Sequence, residues 1–123
     1  MAENPKYQAF LESKAVVAPE HGMDSRSIPM NPALFPHQVD ICRWAIRGGN
    51  RAIFAAFGLG KTLIQIQILE SILASTPGAG RIVCPLGVKA EFVRDARRFF
   101  GIDFMYVRTI APSTWAARRT PSN

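Results

Sequence analysis

Acid is scarce in this chain of 123 residues: nine Asp and Glu stand against fifteen Lys and Arg, and no two acidic residues are adjacent. There is thus no pair in which one carboxylate holds a divalent cation while its neighbour positions an attacking water. Only two cysteines occur, Cys42 and Cys84, far apart and without neighbours of metal-ligand type. That argues against a zinc site and a disulfide framework, and reads as two small buried hydrophobes of a reducing, cytoplasmic compartment. No apolar run reaches the ~18–20 residues of a bilayer span. The opening "MAENPKYQAF" lacks the charged-then-apolar layout of a signal peptide, so no membrane is expected among its partners. His21 stands alone in a stretch rich in Pro, Gly and Ser and reads as an ordinary loop histidine.

What is present suits one globular domain. Hydrophobic residues make up 48% and charged residues 20%, outside the range of a disordered chain. The formal charge of +6 is uneven: residues 1–80 hold seven Lys/Arg against six Asp/Glu, and residues 81–123 hold eight against three. A basic C-terminal third points to a polyanion, most simply nucleic acid, or else to a solvated face.

Periodicity predicts an alternation. "KYQAFLESKAVV" has Tyr7, Phe10, Leu11 and Lys14 at helical spacing, and "APEHGMDSRSIPMNP" is loop. "HQVDICRWAIRGGN" is a helix with Pro36 in its first turn, Val39, Cys42 and Ile46 on one face, and Gly48-Gly49 as its stop. "RAIFAAF" is a buried strand. "KTLIQIQILESILAS" alternates locally like a strand, but its length favours a mostly buried helix. "RIVCP" is a short strand, "GVKAEFVRDARRFFG" a helix with Val88, Phe92, Ala96 and Phe99 inward, and "DFMYV" a last strand. Helix and strand taking turns predict an α/β domain with a parallel sheet flanked by helices. The stretch 109–123 has no periodicity and is expected to be a disordered tail.

The strongest local signal is "AAFGLGKT". The phosphate-loop pattern asks for Gly, four residues, then Gly-Lys-Ser/Thr. Here Gly60-Lys61-Thr62 complete the second half, Ala55 stands for the first glycine, and Phe57, Gly58 and Leu59 fill the turn. Glycines let backbone N–H groups approach phosphate oxygens closely, and the helix that starts at Lys61 turns its positive end on the same anion. Lys61 would pair with the β- and γ-phosphates, and Thr62 would offer an oxygen to Mg²⁺.

With those residues the chain resembles the first RecA-like domain of the superfamily 2 DEAD/DEAH-box helicases and Swi/Snf-type translocases, in the form found in phages and prophages. The resemblance covers residues 34–108, between an N-terminal extension at 1–33 and the tail. It implies a partial RecA-like domain that binds ATP and Mg²⁺. "LFPHQVDICRWA" looks like the family's adenine-recognising stretch, with Phe35 and Gln38 in the reading positions. A Gln amide both donates and accepts, which suits the adenine edge. "RIVCPLGVKAEFVRDA" looks like the stretch that contacts the nucleic-acid backbone, with Pro85, Lys89 and Arg94 as contacts and DNA favoured over RNA.

The family's acidic motif has no counterpart, since Glu70, Glu91, Asp95 and Asp103 are the only acids after Thr62. The resemblance therefore implies the N-terminal part of an ATP-dependent helicase that binds ATP and does not hydrolyse it alone, from a truncated or frameshifted gene, completed by the missing remainder of a helicase. Two other readings stand beside it. One is a non-enzymatic basic protein that binds nucleic acid or a partner through Arg97, Arg98, Arg118 and Arg119. The other is a small phosphate-loop kinase, disfavoured by the 50 residues before the loop.

Overall fold

The computed structural model describes residues 4–14, 19–56 and 58–108. The expected tail and Phe57 lie outside them. Four α-helices follow in order: α1 (Pro5–Lys14), α2 (Pro36–Gly48), α3 (Lys61–Ser75) and α4 (Lys89–Asp95). A 3-10 turn at Leu86–Val88 leads into α4, and a π-helical turn at Ala96–Phe100 continues it.

The expected parallel sheet is not formed. The described part is helical with no strand in it, so the α/β, RecA-like class is corrected to a helical one. The three expected strands show why. Along 51–56 exposure alternates: Arg51, Ile53 and Ala55 are half-buried, while Ala52, Phe54 and Ala56 are exposed. Along 82–85, Ile82 and Cys84 are half-buried, while Val83 and Pro85 are exposed. In "DFMYV", Phe104 is half-buried and Met105, Tyr106 and Val107 are exposed. Alternation reports that one side of an extended segment is covered, whatever covers it. A sheet needs in addition a neighbouring backbone about 4.8 Å away. Here helices do the covering. Ile53 packs against Leu34, Cys42 and Ile64. Ile82, Cys84 and Phe104 pack against Ile66, Phe92 and Ala96. The outer rows stay bare, with Phe54 96% and Val83 90% exposed.

Helix α3 is the middle layer. Residues two apart on a helix point in nearly opposite directions. Ile64 accordingly enters the cluster shared with Cys42 of α2, and Ile66 the cluster shared with Phe92 and Ala96 of α4. The local alternation of "IQIQI" is thus the signature of a helix covered on two flanks. Gln67, fully buried, accepts a hydrogen bond from the Asn31 N–H at 2.9 Å and donates one to the Ser71 hydroxyl at 2.8 Å. The Asn31 side-chain amide donates in turn to the Phe99 carbonyl at 2.5 Å.

In α2 the expected inner face is found, with Cys42 and Ile46 buried and Val39 half-buried. After α4 the expected register slips. Phe92 and Ala96 are buried as anticipated, but Phe100, not Phe99, packs on the core cluster. The π-helical turn is the cause, because a turn closed over five residues moves the next inward position one place along the chain.

The segment before α2 is tied to it. The amides of His21, Gly22 and Met23 donate to the Gly48, Arg47 and Ile46 carbonyls at 3.1, 3.0 and 3.1 Å. Arg43 donates to the carbonyl of Ser25, which is buried. The Arg26 side chain and N–H both bond the Asp24 carboxylate and hold its pKa down to about 2. Helix α1 buries no residue. Among the described residues no helix is long and apolar enough to cross a membrane.

Burial raises the Cys42 thiol to about 11, leaving little thiolate at pH 8. Cys84 is half-buried. Alkylation of the native protein at pH 8 is therefore expected to modify Cys84 first and Cys42 only after denaturant is added. Equal labelling rates for the two would contradict the packing of α2 on α3.

Candidate functional site

The turn before α3 is built on two glycines in the left-handed region, Gly58 at φ 80° and Gly60 at φ 69°. A side chain at either position meets its own backbone. Around Gly58 there is open space, with nothing within 4 Å of where a Cβ would sit. At Gly60 a Cβ would lie 2.0 Å from the side-chain nitrogen of Gln38. Gly60 thus meets two demands, and its carbonyl accepts the first hydrogen bond of α3, from the Ile64 N–H at 3.3 Å. No side chain caps the first turn of α3. A fifteen-residue helix therefore presents its N-terminal backbone donors and its positive dipole end beside Lys61, which is exposed, and Thr62, which is half-buried.

Gln38 is held differently from what an adenine reader requires. It is 2% exposed. Its oxygen accepts from the Phe35 N–H at 2.8 Å, and its nitrogen lies 3.2 and 3.3 Å from the Leu59 and Gly60 carbonyls. Its amide thus fastens the start of α2 to the glycine-rich turn. The sequence carried a signal for half of this. A Gln three residues after the N-cap reaches back to the N-cap amide, as in a capping box. The other half, the grip on Leu59 and Gly60, spans more than twenty residues of sequence and could not be read from spacing.

The remaining expected residues fall as follows. Phe35 is 66% exposed, its ring stacked on His37 with centroids 6.0 Å apart. Ala55 is half-buried in the segment leading to the turn, and Leu59 is exposed within it. Phe57 is outside the described residues. Gly58, Leu59, Gly60, Lys61 and Thr62 come together with Gln38. Pro85, Lys89 and Arg94 belong to the approach to α4 and to α4 itself.

The donors of this turn suit a chain of phosphates. They offer Mg²⁺ one protein oxygen, from Thr62. Among the described residues no group of three His, Cys, Asp or Glu could hold a metal ion. Asp95 and Asp103 are engaged by Arg94 at 3.2 Å and Arg97 at 2.9 Å. Glu91 is exposed on α4. Glu70 lies about 13 Å along α3 from Lys61, at 1.5 Å per residue.

Against models of protein families, curated proteins and solved structures, the chain has no match.

The two glycines separate by their surroundings. Gly58→Ala should cost only the left-handed backbone strain, about 1–2 kcal/mol in urea denaturation. Gly60→Ala should cost more, because Gln38 must also yield, and adding Gln38→Ala should recover part of that excess. Equal costs for the two alanines, with no coupling to Gln38, would contradict the grip of Gln38 on the turn.

Proposed function

We propose that residues 58–62 bind the phosphates of a nucleoside triphosphate, ATP first, with Mg²⁺ carried in on the nucleotide. The observation that supports this reading is the junction itself. Two glycines with left-handed backbone deliver the chain into an uncapped helix start whose first residues are Lys61 and Thr62. In this reading the first-turn backbone donors orient the phosphates, Lys61 neutralises them, and the Thr62 hydroxyl joins the metal's ligand shell. Phe35, exposed beside His37, offers a ring face to the base. Gln38 positions the turn, and meets adenine only by giving up one of its present partners. The four acids after Thr62 supply no carboxylate for a water at this site, so binding without turnover is the activity proposed. The helicase resemblance supplies the choice of ATP and the idea of a larger ATP-dependent enzyme. Two free thiols fit a cytoplasmic location.

The test is equilibrium binding of a fluorescent ATP analogue with Mg²⁺. Losing a charge-assisted hydrogen bond of about 1.5–3 kcal/mol, Lys61→Ala should weaken binding roughly ten- to a hundredfold. Phosphate release should stay at the buffer rate for both proteins. Binding indifferent to Lys61 would overturn the reading.

A further inference from the structure

Phe99 and Phe100 follow each other in the π-helical turn Ala96–Phe100, and both are half-buried. Phe100 packs on the cluster of Ile66, Phe92 and Ala96. Phe99 lies instead against Arg98, whose guanidinium is 5.0 Å from its ring centre. An α-helical continuation of α4 would choose the other ring. At 3.6 residues per turn, Phe99 comes about two turns after Phe92 and returns to its face. The wider turn moves that place on by one residue, to Phe100. Because both residues are phenylalanine, the core receives the same ring in either register.

The hydrogen bonds that close the helix are matched in the same way. Gly101, at φ 63°, is the left-handed stop. Its N–H donates to the Arg97 carbonyl at 3.3 Å, and the Ile102 N–H donates to the Ala96 carbonyl at 3.1 Å. In the usual closure around a left-handed glycine, those two donors would reach Arg98 and Arg97. Each bond is therefore displaced by one residue, and an α-helical register would keep both. What distinguishes the registers is a contact from outside the helix. The Asn31 side-chain amide donates to the Phe99 carbonyl at 2.5 Å. Asn31 is itself fixed. Its N–H donates to the Gln67 side chain of α3 at 2.9 Å, and its side-chain oxygen accepts from the Ala33 N–H at 2.9 Å.

We propose that residues 96–102 form a two-state register switch latched by Asn31. In the latched state the turn is π-helical and Phe100 fills the core. In the released state it is α-helical, Phe99 fills the core, and Phe100 turns toward solvent. The exchange takes Phe99 off Arg98 and rotates the stretch that carries Arg97 and Arg98 about the helix axis, while Phe92 and Ala96 stay in place. Packed interiors change between discrete arrangements of this kind because they do not deform continuously. Through Gln67 the latch is tied to α3, the helix that begins at Lys61. The switch stands without the nucleotide reading of that helix's start.

The test is fluorine NMR relaxation dispersion on the full chain, with 4-fluorophenylalanine placed at residue 99 or at residue 100. Exchange on the microsecond-to-millisecond scale is what this measurement detects. Both labels should show it, with one rate and one minor population of about 1–10%. Asn31→Asp keeps the oxygen that Ala33 uses and removes the donor to Phe99. It should raise the minor population at both positions at least about twofold, the smallest effect of a lost hydrogen bond. Melting temperatures give a second reading. Phe99→Ala should cost at least about 4 °C more when added to Phe100→Ala than when made alone, because only then does the core depend on Phe99. The loss from Phe100→Ala should be smaller in the Asn31→Asp background than in the native one, whereas a fixed π-helical register gives equal losses. The dispersion on the native sequence decides by itself where a variant fails to fold. The proposal is overturned if neither label shows exchange, if the two labels give different populations, or if the loss from Phe100→Ala is the same in both backgrounds.

Discussion

The structure depends on one helix having two buried flanks. With Ile64 turned to α2 and Ile66 to α4, α3 joins two clusters that have no other shared helix. A helix in that position cannot carry a polar face. Its polar side chains must be exposed, as Gln65 is, or satisfied inside, as Gln67 is by Asn31 and Ser71. Leaving a buried amide such as Gln67 unpaired costs about 1–3 kcal/mol, which gives the loop before α2 a reason to take its observed course. Asn31 satisfies Gln67 through its backbone and the π-helical turn through its side chain. The N-terminus of α3 is left to the glycine-rich turn, with no side chain capping it.

Much of this is legible in the sequence, and what is not has a common cause. Helices α2, α3 and α4 are readable because helical periodicity and the Pro and Gly stops are local. The glycines of the turn are readable because "GLGKT" states a backbone requirement within a few residues. The sheet is misread because alternation in "RAIF" and "RIVC" records a covered side, and sequence does not say whether a helix or a strand does the covering. Phe100 in place of Phe99 is invisible, since a π-helical turn leaves no mark in the spacing of apolar residues before it. The cationic side of α4 and the turn after it is half legible. Net charge locates it in the last third of the chain, while the contacts of Lys89 with the Tyr106 ring and of Arg98 with the Phe99 ring need coordinates.

Gln38 shows how one residue type can serve two tasks, of which the fold displays one. Donor and acceptor on one short side chain suit an adenine edge, but they equally suit a backbone amide on one side and two carbonyls on the other. Folding offers the second set within the chain itself. A base would have to displace a bond already made, so the present geometry makes the turn's shape the primary product of Gln38.

Helix α2 is a strut pinned at both ends. One end is held to the turn before α3 by the Gln38 amide, and the other is held to residues 21–23 by three backbone bonds to its last carbonyls. Thirteen residues give it a length of about 20 Å. The segment entering from the N-terminal side and the turn that precedes Lys61 are far apart along the chain, yet a single stiff rod fixes the spacing between them. The position of the turn is therefore referenced across the molecule to the backbone of residues 21–23.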